Sequence, residues 1–466
     1  MSEKAKINKV TEGPIFTSML LFFLPIMVGS FFQQLYNTVD AIVVGHYVGK
    51  EALAAVGGTT GTIINLFIGV FIGLSTGFSV VISQYMGSKS YKNVYECIQT
   101  AVGFALISGT AVGILGAILT PFFLSFMNVP TEMLSEAITY LRIYFIGMIA
   151  NMIYNMCAAI LRGIGDSKRP LYFLIVACFI NIFLDVVFVL YFKMGVSGVA
   201  VATVISQAIS ALLMIITLSR IKADYNFKPH DIHINKRELK KMLGIGTSAA
   251  VQSVAYTAAN IYVQSSVNTL GIDVISGYTV YVKTDTVFWM TIQALGVSIT
   301  TFVGQNFGAG NRDRVKKAMK VGAVISFCIC ITAALSFLIY GDFLLSLFTN
   351  DRAVVEQGLY IIKTVVPAFI FYGVIEVYAS SLRGVGDTLL TMILSLVGVC
   401  LVRIVWVHIA FGKYHEFFYI IIAYPLSWFI TAVLFTIYTN FFSKFRLWLR
   451  GDNITDLTWR FRRWCS

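Results

Sequence analysis

Leu161-Arg162-Gly163-Ile164-Gly165-Asp166 returns 221 residues later as Leu382-Arg383-Gly384-Val385-Gly386-Asp387. A second match has the same offset. Leu74, Gln84, Gly87 and Val94 pair with Leu295, Gln305, Gly308 and Val315, which aligns Ser83-Gln84-Tyr85-Met86-Gly87 with Gly304-Gln305-Asn306-Phe307-Gly308. Two matches at one offset, about 80 residues apart, mark a duplicated unit. Many secondary transporters are built from such repeats, with the substrate path where the repeats meet.

Composition says what each repeat is made of. Of 466 residues, 57% are hydrophobic and 12% charged, and the mean hydropathy is +0.79. No water-soluble core needs that much apolar sequence, so an all-α polytopic membrane protein is expected. Apolar stretches long enough to span a bilayer run over 16–47, 52–86, 94–121, 134–162, 170–192 and 196–220. Six more run over 241–268, 273–306, 317–342, 355–382, 389–411 and 416–441, making twelve spans, six per repeat, around a central cleft. Met1 to Gly13 is polar and lysine-bearing and leads into a span too long for a signal-peptide core, so no cleaved leader is expected.

The formal charge of +12 suggests a nucleic-acid partner until its distribution is examined. The N-terminus, the connections after spans 2, 4, 6, 8 and 10 with the span ends that flank them, and the C-terminal tail hold about 27 of the 35 lysines and arginines. The opposite connections hold Lys50, Lys193, Arg352 and Lys413. By the positive-inside rule, both termini and the loop 221–240 are expected on the cytoplasmic side of a plasma membrane, with no nucleic acid bound. The chain then divides into a cytoplasmic N-terminus (1–15), an N-lobe (16–220), a linker loop (221–240), a C-lobe (241–441) and a basic tail (442–466). An even number of spans per repeat gives both halves one orientation, so the repeats are parallel. In the tail, Trp448 to Trp464 with Arg450, Arg460, Arg462 and Arg463 reads as a basic aromatic strip on the inner membrane surface. All seven cysteines, Cys97, Cys157, Cys178, Cys328, Cys330, Cys400 and Cys465, read as unpaired.

Several motifs have structural explanations. Each Leu-Arg-Gly-x-Gly-Asp closes a helix, with glycines at the turn and Arg expected to pair with Asp. Gly69, Gly73 and Gly77 form a small-residue stripe that lets a neighbouring backbone come close. Gly73-Leu74-Ser75-Thr76-Gly77 matches a nucleophile elbow but lies mid-span, without the strand-to-helix turn or the base that motif needs. Gly45 to Glu51 resembles a P-loop one residue short, with Glu where Ser or Thr should hold magnesium. His230 and His233 lack a cysteine or carboxylate cluster and read as solvated rather than metal-bound. Nothing here points to an enzyme or to a cofactor, so transport energy is expected from an ion gradient.

Ionisable residues inside spans cost about 2.5 to 3.5 kcal/mol each to insert, which makes them site hypotheses. Asp40, Asp185, Lys283, Asp285, Lys363, Glu376, Arg403 and His408 qualify. Asp40 lies ten residues before Lys50, Asp185 eight before Lys193, and Thr203 ten after Lys193. At 1.5 Å per residue all three sit about 12 to 15 Å below the outer surface. Asn181 shares a helix face with Asp185, and Asn37 stands one turn before Asp40. Two carboxylates among Asn and Thr oxygens suit a hard cation such as sodium or a shared proton. The second repeat lacks this set, because Ile261, Trp406 and Val402 stand at the positions equivalent to Asp40, Asp185 and Asn181. Lys283 and Asp285 lie on different faces of span 8. Glu376 reads equally as a ligand or as a carboxylate reaching the helix end.

Together these features resemble the multidrug and toxic compound extrusion (MATE) transporters over essentially the whole chain. The resemblance rests on twelve spans in parallel halves, Pro25 in span 1, Val303-Gly304-Gln305-Asn306-Phe307-Gly308-Ala309-Gly310-Asn311, and the paired Leu-Arg-Gly-x-Gly-Asp. Asp40, Asn181, Asp185 and Thr203 resemble the N-lobe cation site of the DinF-like branch, whereas the NorM-like glutamate of span 7 is replaced by Gln252, Ser253 and Tyr256. The resemblance implies a monomer exporting amphipathic, often cationic, compounds in exchange for Na+ or H+, through a cleft between the lobes. Gln33, Gln34, Tyr36 and Asn37 with Gln252, Tyr256 and Asn260 offer that cleft a polar aromatic lining. Lys283, Asp285, Phe288, Trp289 and Met290 add to it, since aromatic faces favour cations and methionine adapts to shape. Pro25 is the expected bend point of span 1. A lipid-linked oligosaccharide flippase of related architecture would need a basic cluster for its pyrophosphate, and Lys283, Lys363 and Arg403 are few and scattered.

Overall fold

The computed structural model describes residues 10–49, 52–53, 56, 58–127 and 129–451. Lys50 and Glu51, most of the basic tail with Arg460, Arg462 and Arg463, and Cys465 lie outside the described residues. Among the described residues every regular element is helical. The spans are α1 (Ile15–Val48), α2 (Thr59–Gly87), α3 (Tyr91–Phe126), α4 (Thr131–Ile146 and Met148–Gly163), α5 (Lys168–Tyr191) and α6 (Val196–Ser219). The second half has α7 (Lys236–Val267), α8 (Ile272–Gly308), α9 (Arg312–Ser346), α10 (Arg352–Val385), α11 (Thr388–Tyr414) and α12 (Phe417–Phe442). The short α13 (Lys444–Arg450) follows.

Ten of these are single helices long and apolar enough to cross a membrane, and α4 makes an eleventh when its two parts, bent by 46°, count as one span. The bend falls at Gly147, where a Cβ would lie 2.3 Å from Val204 Cγ2 of α6. The twelfth, α7, has 32 residues; after its charged opening, Lys236-Arg237-Glu238-Leu239-Lys240-Lys241, the uncharged remainder carries Gln252, Asn260 and Gln264 among serines and threonines, which dilutes its apolar character. Pro25 lies within α1, whose α-helical part runs from Ile15 to Val43 across it.

The duplicated motif does the same two things in each repeat. At the end of α4, Gly165 N–H donates to Arg162 O (3.0 Å) and Asp166 N–H to Leu161 O (2.8 Å); at the end of α10, Gly386 N–H donates to Arg383 O (2.9 Å) and Asp387 N–H to Leu382 O (2.9 Å). This is the Schellman cap, and its left-handed residue is the second glycine, Gly165 (φ 99°) or Gly386 (φ 86°). The first glycine is a crossing point. A Cβ on Gly163 would meet Ser79 O at 3.0 Å on α2, and one on Gly384 would meet Thr300 O at 2.9 Å on α8, the equivalent position of the other repeat. The expected Arg–Asp pair does not form. Asp166 pairs with Arg169 at 3.2 Å, Asp387 accepts from Tyr438 Oη at 2.6 Å, and Arg383 reaches back two turns to Glu376 at 2.8 Å.

Two compact units divide the chain: Leu24–Ala250 is one, and the described residues up to Phe23 together with those from Val251 onward are the other. The divisions therefore fall inside α1 and α7. In the first unit α2 holds the start of α7: Tyr85 Oη donates to Glu238 Oε2 at 2.8 Å, and Glu238 pairs with Lys241 at 2.9 Å. The glycine stripe of α2 lets the two backbones touch, since a Cβ on Gly77 would lie 2.2 Å from Met242 O. In the second unit Asn306, the equivalent of Tyr85, donates to Val10 O at 3.2 Å, and Arg314 binds Val10 O and Gly13 O at 3.1 and 2.8 Å. The end of α2 or α8 thus anchors the segment that begins α7 or α1.

The linker loop packs on α3 within the first unit. His233 is not simply solvated: Nε2 bonds Glu96 Oε2 at 2.9 Å and Nδ1 bonds Asp231 O at 2.8 Å. Both acceptors favour the charged ring, which holds the His233 pKa above its usual 6.5. Among the described residues no group of three or more metal-ligating side chains occurs, and six cysteines are free.

Candidate functional site

Three helices of the first unit bring Asp40 (α1), Asn181 and Asp185 (α5) and Thr203 (α6) together, each less than 7% exposed. Asn181 and Asp185 are four residues apart and share one face of α5. Each carboxylate lies just before a π-helical turn, Val44–Val48 after Asp40 and Val187–Tyr191 after Asp185. Such turns widen a helix locally and gather at functional sites.

Thr203 Oγ1 donates to Asp40 Oδ2 at 3.2 Å, and Asn181 Nδ2 donates to Thr203 Oγ1 at 3.4 Å. The two carboxyl groups lie within hydrogen-bonding reach of each other. Four oxygens are left over: Asp40 Oδ1, Asn181 Oδ1 and both oxygens of Asp185 are buried and receive no hydrogen bond. Buried polar groups are nearly always satisfied, and two carboxylates cannot donate to each other. A proton shared between them, or a cation among them, would complete the arrangement. The donor set is all oxygen, as hard cations require.

Of the residues named from sequence beside this set, Asn37 and Gln34 are exposed and not part of the cluster. Tyr36 is buried beside Gln33 and Gln207, and Tyr144 also lies beside Gln207. Tyr140 and Tyr144 of α4, with ring centroids 6.2 Å apart, complete a tyrosine wall beside Asp40. Neither these tyrosines nor Gln207 stands out in the sequence, although the Tyr140–Tyr144 spacing of one turn was a usable signal.

The second unit holds a cavity of about 560 Å³, with Tyr256, Asn260, Asp285, Trp289 and Met290 in its wall. Asp285 accepts from Trp289 Nε1 at 2.9 Å. Arg403, 4% exposed, donates to Asn260 Oδ1 at 3.2 Å and lies 4.1 Å from the Tyr424 ring centroid. Tyr278, Tyr281, Tyr372, Tyr424 and Trp428 also line this space and were not anticipated. Gln252 donates to Tyr256 Oη at 3.0 Å. Lys283 and Lys363 are exposed, and His408, also exposed, bonds Tyr262 Oη at 3.2 Å. Glu376 is the buried partner of Arg383 and also accepts from Ser380 Oγ at 2.7 Å.

Comparison with known proteins adds the family. The MatE family model matches residues 25–187 and again 248–409, so it recognises the duplication directly. The chain is 28% identical to the probable multidrug resistance protein YpnP of Bacillus subtilis (strain 168), over 85% of this chain and 89% of that protein. It is 26% identical to the probable multidrug resistance protein YoeA of the same organism, over 94% and 96%. A solved outward-facing conformation of a multidrug resistance MATE family transporter of the MOP superfamily matches with a TM-score of 0.86 at 20% identity, covering 96% of this chain and 98% of that one. That likeness establishes the fold.

Proposed function

The chain belongs to the MatE family, and on that premise we propose that it exports small amphipathic compounds, many of them cationic, in exchange for a cation bound at Asp40, Asn181, Asp185 and Thr203. The observation that carries the reading is the set of four buried oxygens without donors, contributed by two carboxylates and an amide. Two ionised carboxylates cannot be dehydrated together without a counter-charge, so the site must take up sodium or a proton before it closes to water. Closing is thereby made conditional on the cation. Releasing the cation on the other side reopens an acidic site that favours a cationic substrate. Supporting names come from the relatives YpnP and YoeA, both called probable multidrug resistance proteins.

The protein is a multi-pass membrane protein. The charge distribution supports a plasma-membrane location with both termini cytoplasmic, and Pro25, across which α1 runs as one helix, is the point at which α1 would bend in answer to the state of Asp40. A lipid-linked oligosaccharide flippase is the weaker reading, because one basic residue, Arg403, lines the cavity of the second unit and a pyrophosphate calls for several. Efflux of rhodamine 123 from proteoliposomes under separately imposed sodium and proton gradients is the test. Export driven by one of the two is expected; no export under either refutes the proposal.

A further inference from the structure

The cavity of the second unit holds two ionisable groups, one basic and one acidic, that do not pair with each other. Arg403 sits in the middle of α11 and is buried, yet its guanidinium meets only neutral oxygens: Nη1 meets Asn260 Oδ1 at 3.2 Å, Nη2 meets Ser427 Oγ at 3.5 Å, and Nε meets none. Among the described residues no carboxylate oxygen lies within ion-pair distance of it; the ion pairs run elsewhere, for instance from Arg383 to Glu376. Arginine keeps its charge when buried, so a counter-charge must come from outside the protein. Asp285 is the mirror case. It is 6% exposed, accepts from the Trp289 indole, and pairs with no basic side chain among the described residues.

Both groups line the same cavity. Tyr278 and Tyr424, joined Oη to Oη at 2.7 Å, line the same cavity near both groups. The walls are aromatic: the Tyr424 ring covers one face of the guanidinium, and Trp289, Tyr372 and Trp428 cluster with centroids 4.6 to 5.8 Å apart. At about 560 Å³ the space is within the range of drug-sized ligand sites.

We propose that this cavity binds amphoteric aromatic compounds, with Arg403 holding the acidic group of the ligand and Asp285 its cationic group. The proposal deepens the export reading and rests on it, by naming a substrate class that cationic selectivity alone does not predict. Charge-assisted hydrogen bonds to a guanidinium are the strong ones, and their loss is worth about 10- to 100-fold in affinity.

The test uses two dyes that share a ring system: rhodamine 110, which carries a free carboxylate and a cationic xanthene, and rhodamine 123, its methyl ester. Binding of each to the full chain in lipid nanodiscs is read by fluorescence polarisation. Wild-type protein is expected to prefer the acid by about 10-fold or more. Arg403→Gln should bring that ratio to about 1, and so should Asn260→Asp, which leaves Arg403 in place and gives it an internal carboxylate. Asp285→Asn should weaken both dyes and keep the ratio. A wild-type ratio near 1, or an unchanged ratio in Asn260→Asp when Arg403→Gln does not fold, overturns the inference. If rhodamine 123 is still exported from proteoliposomes in that case, the export reading stands alone; if neither dye binds and neither is exported, both fall.

Discussion

Gly77→Ala tests the closest helix approach in the first unit. A Cβ at Gly77 would lie 2.2 Å from Met242 O and 2.4 Å from Gly246 N, both backbone atoms of α7. No rotamer change relieves a clash with backbone, so α7 must retreat by about 1 Å or more to restore ordinary packing. Gly73, one turn earlier on α2, faces Ala250 N at 2.5 Å, so the same retreat also opens that contact. Overpacking of this kind costs about 1 to 3 kcal/mol, a factor of about 5 to 150 against the docked helix pair. Gly244 provides the control, being on α7 itself with no atom within 4 Å of its Cβ position. The assay is thermal unfolding of the purified chain in detergent. Gly77→Ala should lower the midpoint, and Gly244→Ala should hold or raise it through helix propensity. Equal midpoints for Gly77→Ala and wild type would refute the close crossing.

Glu376→Gln should destabilise more than the double variant Glu376→Gln with Arg383→Gln, by about 2 to 3 kcal/mol, because the single change leaves the mostly buried Arg383 without its partner; thermal unfolding of the two checks it, and equal losses would place no weight on the pair. The raised His233 pKa means that its contribution to loop docking is complete below the unfolded value of 6.5 and is lost as pH rises through the folded value. Hydrogen exchange in residues 229–235 should therefore be slower, after correction for intrinsic rates, at pH 6 than at pH 9, and His233→Gln should remove the difference. Pro25→Ala should slow export of rhodamine 123 more than it weakens its binding, since it changes how readily α1 bends and leaves the contact surface in place; impaired binding with normal turnover would make Pro25 a packing residue.

Much of this architecture was legible in the sequence because apolar runs and charge asymmetry report directly on the bilayer. The depth count from Lys50 and Lys193 found Asp40, Asp185 and Thr203 because a helix rises at a constant rate and these residue types are costly in a span. Asn37 was wrongly grouped with them because one turn of α1 separates a buried face from an exposed one. Beyond Tyr36 and Tyr256, the tyrosines around the two sites (Tyr140, Tyr144, Tyr278, Tyr281, Tyr372 and Tyr424) escaped notice because a buried tyrosine carries no charge penalty and its position alone says nothing of its neighbours. The Leu-Arg-Gly-x-Gly-Asp motif invited a local Arg–Asp pair, yet the cap turns Asp387 toward Tyr438 and leaves Arg383 facing Glu376 two turns back. That seven-residue spacing was readable, since it returns to nearly the same helix face. The anchoring of Val10 to Gly13 by Arg314 joins segments about 300 residues apart and leaves no mark in local pattern.

The central claim is that the buried oxygens of Asp40, Asn181 and Asp185 bind the coupling cation, and the most direct measurement is cation displacement from the purified protein. Rhodamine 123 is added to the chain in nanodiscs in weakly buffered solution, while proton release is followed with a pH dye and bound radioactive sodium by filtration. The account predicts that wild-type protein releases one of the two cations on binding the dye and that the double variant Asp40→Asn with Asp185→Asn releases neither while remaining folded. Undiminished release from the folded double variant would contradict it.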